Sequence, residues 1–140
     1  MGSIYSYLTF NGNCREAMIF YQKCLGGELH FQSFGDTPLA ERMPEKIKKN
    51  ILHGVLKNHD ILLIGSDVAG ESGLLKGNAV SLMIDCGSEK EIKALYKRLS
   101  QGGEQTQPLE ETHWGAVFGG LTDKFGNCWL LHFKPAAVMQ

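Results

Sequence analysis

Hydrophobic and polar residues follow the same order twice along this chain. Residues 16–29, EAMIFYQKCLGGEL, and residues 91–105, EIKALYKRLSQGGEQ, each place apolar side chains three and four positions apart. This spacing predicts an amphipathic helix in each stretch. Each helical pattern ends at a Gly-Gly pair, which suits the left-handed backbone that commonly ends a helix. The sequence therefore predicts two helices of the same design.

The residues that precede the two helices also correspond. Asn13 stands three positions before Glu16, and Ser88 stands three positions before Glu91. A short polar residue followed at this spacing by a glutamate is the signature of a capping box. We therefore expect Asn13 and Ser88 to cap the N-termini of the two helices.

Stretches rich in β-branched and aromatic residues surround both helices, which indicates strands. One stretch precedes each helix and three follow it: IYSYLTFNG, then ELHFQSF, KNILHGVLK and DILLIGS; and NAVSLMIDC, then EQTQPLE, WGAVFGGLT and NCWLLHF. The chain is thus predicted to be a single α+β domain over residues 1–140 that contains two βαβββ modules. The modules span about 1–68 and 77–135, and a Gly-rich connector, SDVAGESGLLKGN, separates them.

Composition and charge narrow the possible partners. The net charge is −1, which argues against nucleic acid because phosphate binding needs an excess of Lys and Arg on one face. The longest aliphatic run, Ile61 to Ile64, is too short to span a bilayer. The four cysteines form no CxxC pair, so we expect reduced thiols in a cytoplasmic protein with no membrane partner.

Two long stretches resemble a known family. YLTFNGNCREAMIFYQKCLGGEL and PLEETHWGAVFGGLTDKFGNCWLLHF, within the doubled βαβββ pattern, resemble the PhnB-like branch of the vicinal oxygen chelate superfamily. That superfamily includes glyoxalase I, bleomycin-resistance proteins and extradiol dioxygenases. The resemblance covers nearly the whole chain and implies a half-open barrel around a cavity, and a homodimer.

Members of this branch are often named 3-demethylubiquinone 3-methyltransferase-like. In this chain no Gly-rich loop that would bind a nucleotide or an adenosyl group follows a strand. The two Gly-Gly pairs stand where helices end rather than where they begin. We therefore treat methyl transfer as a name and not as an expected activity.

The resemblance also implies where a metal would bind. Metal-using members carry one ligand on the first strand and one on the last strand of each half, and these positions fall on Ser6 and Leu63, and on Ala79 and Leu130. Leucine and alanine cannot coordinate a divalent metal, and a neutral serine hydroxyl is a poor ligand. We therefore expect no metal and no other cofactor.

The cavity that the resemblance implies should be mostly apolar with a few polar points. By alternation, His53 shares a face with Ile51 and Val55 on a strand that should line this cavity. The segment PLEETHWGAVFGG combines flat apolar side chains with polar ones, as binding sites do. We expect ligand contacts from Ser6, Leu8, His53, Leu63, Ser81, Met83, Trp114, Phe118 and Leu130. No catalytic residue is identified.

Three other features carry weaker expectations. Cys14 falls in the first turn of a helix, where the helix dipole favours the thiolate. Asp67 ends a strand, and either faces the mouth of the cavity or caps a turn. His132 has the parity of Cys128 and Leu130 on the last strand, and the segment 36–50 reads as a loop or a short helix.

Three functions follow from these patterns. The first is a small-molecule binding protein, or an enzyme that needs no metal, with a largely apolar ligand. The second is a metal-dependent lyase or dioxygenase that uses non-standard ligands, among them His53 or His132. The third is a dimeric interaction module whose cavity is filled by its own side chains. The sequence leaves open the ligand, any reaction, the role of residues 36–50 and the dimer arrangement.

Overall fold

The computed structural model describes residues 2–38, 40–67 and 73–135. The chain divides into two compact units, Met1–Leu75 and Lys76–Gln140. The first unit contains β1 (Ser6–Thr9), α1 (Cys14–Leu25), β2 (Glu28–Ser33), a short helix α2 (Glu45–Lys48), β3 (Ile51–Asn58) and β4 (Ile61–Ser66). The second contains β5 (Leu82–Asp85), α3 (Glu89–Leu99), β6 (Glu104–Glu111), β7 (Val117–Thr122) and β8 (Cys128–Phe133).

Each unit contains one four-stranded sheet, and the strand orders correspond: β1-β4-β3-β2 in the first and β5-β8-β7-β6 in the second. In both sheets the first and last strands of the unit pair in parallel, and the other pairs are antiparallel. The predicted α+β fold with two βαβββ modules is therefore confirmed. Part of the predicted connector lies outside the described residues.

In the first unit, α1 covers one face of the sheet. A Cβ added to Gly65 of β4 would lie 2.9 Å from Sδ of Met18 and 3.0 Å from Sγ of Cys14. Met18 and Cys14 are fully buried, so α1 and β4 approach each other closely at this point. Leu63, two residues before Gly65, lies on the same face and is 4% exposed.

In the second unit, α3 packs on its sheet through a buried apolar face and one polar contact. The hydroxyl of Tyr96 donates to the carbonyl oxygens of Gln107 at 2.8 Å and Gly120 at 3.2 Å. Tyr96 therefore connects α3 by hydrogen bonds to the neighbouring strands β6 and β7. The core of this unit is formed by Ile92, Leu95, Leu99, Leu121, Trp129 and Leu131.

The N-terminus of α1 is held by a residue distant in sequence. Asn13 makes no side-chain capping bond, so the prediction for this residue is wrong. The carboxylate of Asp67 accepts instead from the backbone N–H of Gly12 at 2.9 Å and of Cys14 at 3.0 Å. Its second oxygen accepts from the N–H of Ile51 at 2.7 Å. Asp67 thus joins β4 to the starts of α1 and β3.

The start of α3 follows the prediction. Oγ of Ser88 accepts from the backbone N–H of Glu91 at 3.0 Å, and Oε1 of Glu91 accepts from the N–H of Gly87 at 2.8 Å. These two bonds satisfy N–H groups that a helix start otherwise leaves unpaired. Gly26 and Gly102 both have a positive φ of 76°, which favours glycine, but ψ of Gly26 is −178° and the cap residue of α3 is Ser100, so neither helix ends in the predicted left-handed cap at its first glycine.

The segment 36–50 consists of short helical turns rather than an extended loop. One 3-10 turn spans Phe34–Asp36, another spans Ala40–Arg42, and α2 follows. This agrees with the prediction of a loop or a short helix. Across the parts of the chain that the structure describes, no helix has the length and apolar character needed to cross a membrane.

Candidate functional site

The face of the second sheet opposite α3 gathers apolar side chains around one polar pair. Met83 pairs with Leu130, and Asp85 with His132, across β5 and β8. Phe118 of β7 pairs with His132 from the other side. Paired residues point to the same side of a sheet and successive residues to opposite sides, so these five side chains share one face. We name Met83, Asp85, Phe118, Leu130 and His132 the helix-free face of the second sheet.

The polar pair on this face is a histidine held by a carboxylate. Nδ1 of His132 lies 3.0 Å from Oδ1 of Asp85. The carboxylate oxygen accepts and therefore Nδ1 carries the hydrogen of this bond. The ring of Phe118 meets the His132 ring edge-on, with 6.5 Å between centroids. The imidazole is thus oriented by a carboxylate on one side and an aromatic ring on another.

The apolar part of this face is accessible. Met83 is 59% exposed, although it lies in the middle of a strand. The side chain of the neighbouring Leu130 lies over Gly120 of β7. A Cβ added to Gly120 would lie 3.1 Å from Cδ2 of Leu130. Glycine at this point of β7 lets Leu130 lie against the backbone of the neighbouring strand. The surface around Met83 can therefore contact a flat or aliphatic group.

The corresponding face of the first sheet is composed differently. The register β1 with β4 pairs Tyr7 with Ile64 and Thr9 with Ser66. Phe10 donates its N–H to the carbonyl of Ser66, as Cys86 does to that of His132. Ser66 therefore corresponds to His132, and Thr9 to Asp85. At these corresponding positions the first unit therefore has a threonine and a serine in place of the carboxylate and the histidine.

Three predicted ligand-binding residues lie on the opposite side from the one expected. Ser6 pairs with Leu63, and Leu8 pairs with Gly65, so all three predicted residues, Ser6, Leu8 and Leu63, lie on the face that α1 covers. The prediction that they line an uncovered face is wrong. The run from Ile61 to Ile64 is apolar at every position, and such a run does not reveal which side faces the helix.

Two further expectations about register are also wrong. Ala79 lies outside β5, and Met83 is the residue that pairs with Leu130. Ile51 is buried and lies within 3.6 Å of the position of a Cβ on Gly54, so it does not share the face of His53. The cause is an irregularity in the pairing of β2 with β3, since a bulge reverses the alternation beyond it.

The remaining predicted residues are placed as follows. Met83, Phe118 and Leu130 come together on the helix-free face of the second sheet. Ser81 is exposed just before β5, and His53 is exposed on β3 of the first unit. Trp114 is 49% exposed in the turn between β6 and β7, with its ring edge-on to that of His113 at 4.8 Å. Their roles in binding remain predictions.

The metal positions that the fold implies hold unsuitable side chains. On the uncovered faces the residues in register are Tyr7 with Ile64 and Met83 with Leu130. Neither isoleucine nor leucine offers a donor atom, and a thioether is a soft ligand suited to few metals. Among residues 2–38, 40–67 and 73–135, no three His, Cys, Asp or Glu side chains are grouped to hold a metal ion. Of these four paired residues only Tyr7 carries a side-chain oxygen, so they do not form the set of His, Asp, Glu or Cys ligands that a divalent metal prefers.

The buried thiols are unreactive rather than activated. Burial raises the pKa of Cys14 from 9.0 to about 12, and the nearby charge of Asp67 adds to the rise. Burial likewise raises the pKa of Cys86 to about 12, with Glu91 as the next cause. At Cys14, desolvation and the carboxylate of Asp67 outweigh the influence of the helix dipole, which would favour the thiolate.

The sequence interpretation missed Asp85. Its signal was the parity of LMID, in which Met83 and Asp85 fall on the same side of a strand. His132 and Leu130 show the same parity on the last strand. Only the pairing of β5 with β8, however, brings the carboxylate and the imidazole into contact.

Comparison with known proteins places the chain in a family. The sequence model of the 3-demethylubiquinone-9 3-methyltransferase family matches residues 2–132. Protein YjdN of Escherichia coli (strain K12) is 31% identical over 136 residues, which cover 90% of this chain and 91% of YjdN. Protein PA1353 from Pseudomonas aeruginosa, a crystal structure, is 35% identical with a TM-score of 0.82, and the match covers 96% of this chain and 98% of PA1353.

Two further solved structures connect the family to a wider fold. A putative 3-demethylubiquinone-9 3-methyltransferase, PhnB protein, from Bacillus cereus is 25% identical with a TM-score of 0.72, covering 94% of this chain and 99% of its own. A glyoxalase/bleomycin resistance protein/dioxygenase family enzyme from Burkholderia phytofirmans PsJN is 13% identical, with a TM-score of 0.64 and coverage of 94% and 97%, and it shares the fold alone. The chain therefore belongs to the PhnB-like, 3-demethylubiquinone-9 3-methyltransferase family and has the glyoxalase/bleomycin resistance fold.

Proposed function

We propose that this chain binds a small, largely apolar molecule on the helix-free face of the second sheet, without a metal. The observation that carries the proposal is the half-exposed Met83 beside Leu130 and Phe118, next to the Asp85–His132 hydrogen bond. Small-molecule sites are built from such a mixture, with apolar side chains for contact area and a few polar groups for orientation.

The side chains on this face set the shape of the ligand. Methionine adapts to irregular apolar surfaces, and its sulfur makes favourable contacts with aromatic rings. Phe118 adds a flat ring. Among the five residues of this face, only Asp85 and His132 are polar. The ligand that fits has a flat or aliphatic body and one hydrogen-bonding group.

The decisive experiment is a titration with the dye 8-anilinonaphthalene-1-sulfonate, which fluoresces in apolar sites. We expect saturable binding of one dye per chain. Met83→Glu should weaken it at least about tenfold, because it places a charge in the apolar surface and that charge repels the sulfonate of the dye. The exposure of Met83 means that this change should leave folding intact.

Val80→Glu is the matched control, since Val80 is 80% exposed and precedes the same strand. It should leave the dye affinity unchanged. Unsaturable binding, or equal affinities of Met83→Glu and the unchanged protein, would contradict the proposal. If the dye binds saturably, its displacement by candidate molecules would identify the natural ligand.

We further propose that the protein is a cytoplasmic homodimer. The support is the exposure of large apolar side chains on and before the edge strand β1: Ile4 is fully exposed, and Tyr5 and Tyr7 are more than half exposed. Edge strands of this kind are commonly covered by another chain. Sedimentation velocity should give twice the chain mass of 15.5 kDa, and a mass of one chain would contradict the proposal.

A further inference from the structure

We infer that His132 selects ligands that carry a weakly acidic hydroxyl group, such as a phenol or an enol, on their apolar body. The inference rests on the proposed function and adds the chemical class of the ligand. In it, Nε2 of His132 accepts a hydrogen bond from the ligand hydroxyl while the ligand body lies on Met83 and Leu130.

The direction of this hydrogen bond follows from Asp85. A carboxylate only accepts hydrogen bonds, so the 3.0 Å contact with Oδ1 of Asp85 assigns the ring hydrogen to Nδ1 of His132. In the neutral ring the other nitrogen, Nε2, then presents a lone pair. A ligand that donates is complementary to this nitrogen, and a ligand that only accepts is not.

The second nitrogen is available to a ligand. Across the described residues, the bond to Asp85 is the one hydrogen bond that the side chain of His132 makes. No buried side-chain nitrogen or oxygen there lacks a partner, so Nε2 of His132 is in contact with solvent. The side chain of His132 as a whole is only 23% exposed. A hydrogen bond to this nitrogen is therefore formed in a partly desolvated place, where it contributes more than at an open surface.

A second histidine shows what distinguishes this site. His30 on β2 also has a carboxylate neighbour, but Nε2 lies 3.8 Å from Oε2 of Glu28, and both side chains are more than three-quarters exposed. That distance is too long for a hydrogen bond, so the carboxylate does not fix the tautomer of His30. His132 has the short contact, the partial burial and the apolar neighbours together.

The test compares two probes that differ only in the donor, 2-naphthol and its methyl ether 2-methoxynaphthalene. At pH 8, where imidazoles are generally neutral, we expect the protein to bind 2-naphthol about tenfold more tightly, the effect of one net hydrogen bond. His132→Phe should abolish this preference while both probes still bind. His30→Phe is the matched control and should preserve it.

Asp85→Asn provides a second variant, since the side chain of Asp85 is 75% exposed and the change keeps its shape. The amide can donate to Nδ1 as well as accept from it, so the ring hydrogen is no longer fixed on Nδ1 and the preference for 2-naphthol should fall. Equal binding of the two probes by the unchanged protein, or a preference that survives His132→Phe, would overturn the inference alone. Binding of neither probe would overturn the proposed function as well.

Discussion

The two units have the same strand order, but they hold the starts of their helices in opposite ways. In the first unit a carboxylate from the end of β4, Asp67, accepts from the backbone at the start of α1 and at the start of β3. In the second unit Ser88 and Glu91 form the cap within the helix itself. The comparison teaches that one fold tolerates a long-range anchor and a local anchor at equivalent places, with different consequences for stability.

The packing beneath the helices differs in the same sense. Because Ser66 corresponds to His132, Gly65 corresponds to Leu131. In the first unit the missing side chain allows Cys14 and Met18 of α1 to approach the strand directly. In the second unit Leu131 fills that position and is fully buried. In the first unit the helix therefore packs directly against the strand backbone at Gly65. In the second unit the side chain of Leu131 fills the corresponding space.

Asp67→Ala is expected to have the largest effect on stability. It removes the acceptor of three backbone N–H groups at once, and we expect the free energy of unfolding to fall by about 3 kcal/mol, because hydrogen bonds to a charged group are stronger than neutral ones. Ser88→Ala in the second unit removes one capping bond and should cost about 1 kcal/mol. Urea unfolding of both variants measures the difference, and equal losses would contradict the distinction between the anchors.

Gly65→Ala tests the closeness of packing in the first unit. Its methyl group would meet two sulfur atoms and Cγ of Met18, all within 3.2 Å, so α1 would have to move away from β4. We expect a loss of about 2 kcal/mol, as is usual for overpacking a core. The control is Gly87→Ala, where a Cβ has nothing within 4 Å. Thermal unfolding that is unchanged for Gly65→Ala would show that the helix adjusts freely.

The sequence predicted local features well and long-range features poorly. The periodicity of α1 and α3, the βαβββ sequence of elements in each module and the Ser88 cap all follow from residues close in sequence, and all were confirmed. The cap of α1 was assigned to Asn13 because the signature is local, whereas the true acceptor lies more than fifty residues away. No pattern near Asn13 indicates a carboxylate at the end of another strand.

The candidate site shows the same limit. Alternation placed His132 with Leu130 correctly, because the polar residue marks one side of β8. In β4 the run from Ile61 to Ile64 is apolar at every position, and it does not show that Leu63 lies on the face covered by α1. Asp85 became a candidate only when the pairing of β5 with β8 was known. The sequence of one strand shows which of its residues share a face when one of them is polar. It does not show which residues of another strand lie beside them.

Each unit contains a buried thiol with a raised pKa, Cys14 in the first and Cys86 in the second. The titration of these thiols gives the smallest expected effect on stability. The pKa of each thiol is about 12 in the folded protein, against 9.0 ordinarily. Between pH 9 and pH 12 the unfolded chain therefore loses a proton that the folded chain keeps. Stability is therefore complete below pH 9 and falls as the pH rises, by about 1 kcal/mol per pH unit for each thiol.

Cys14→Ala should remove this slope for one thiol, and Cys86→Ala should remove a similar slope for the other. The packing lost on truncation is the same at every pH, so the change in the free-energy difference between pH 9 and pH 10 isolates the titration of the thiol. Unfolding in urea at pH 8, 9 and 10 measures it. A difference from the unchanged protein that stays constant over this range would mean that the thiols titrate alike in the folded and unfolded chain.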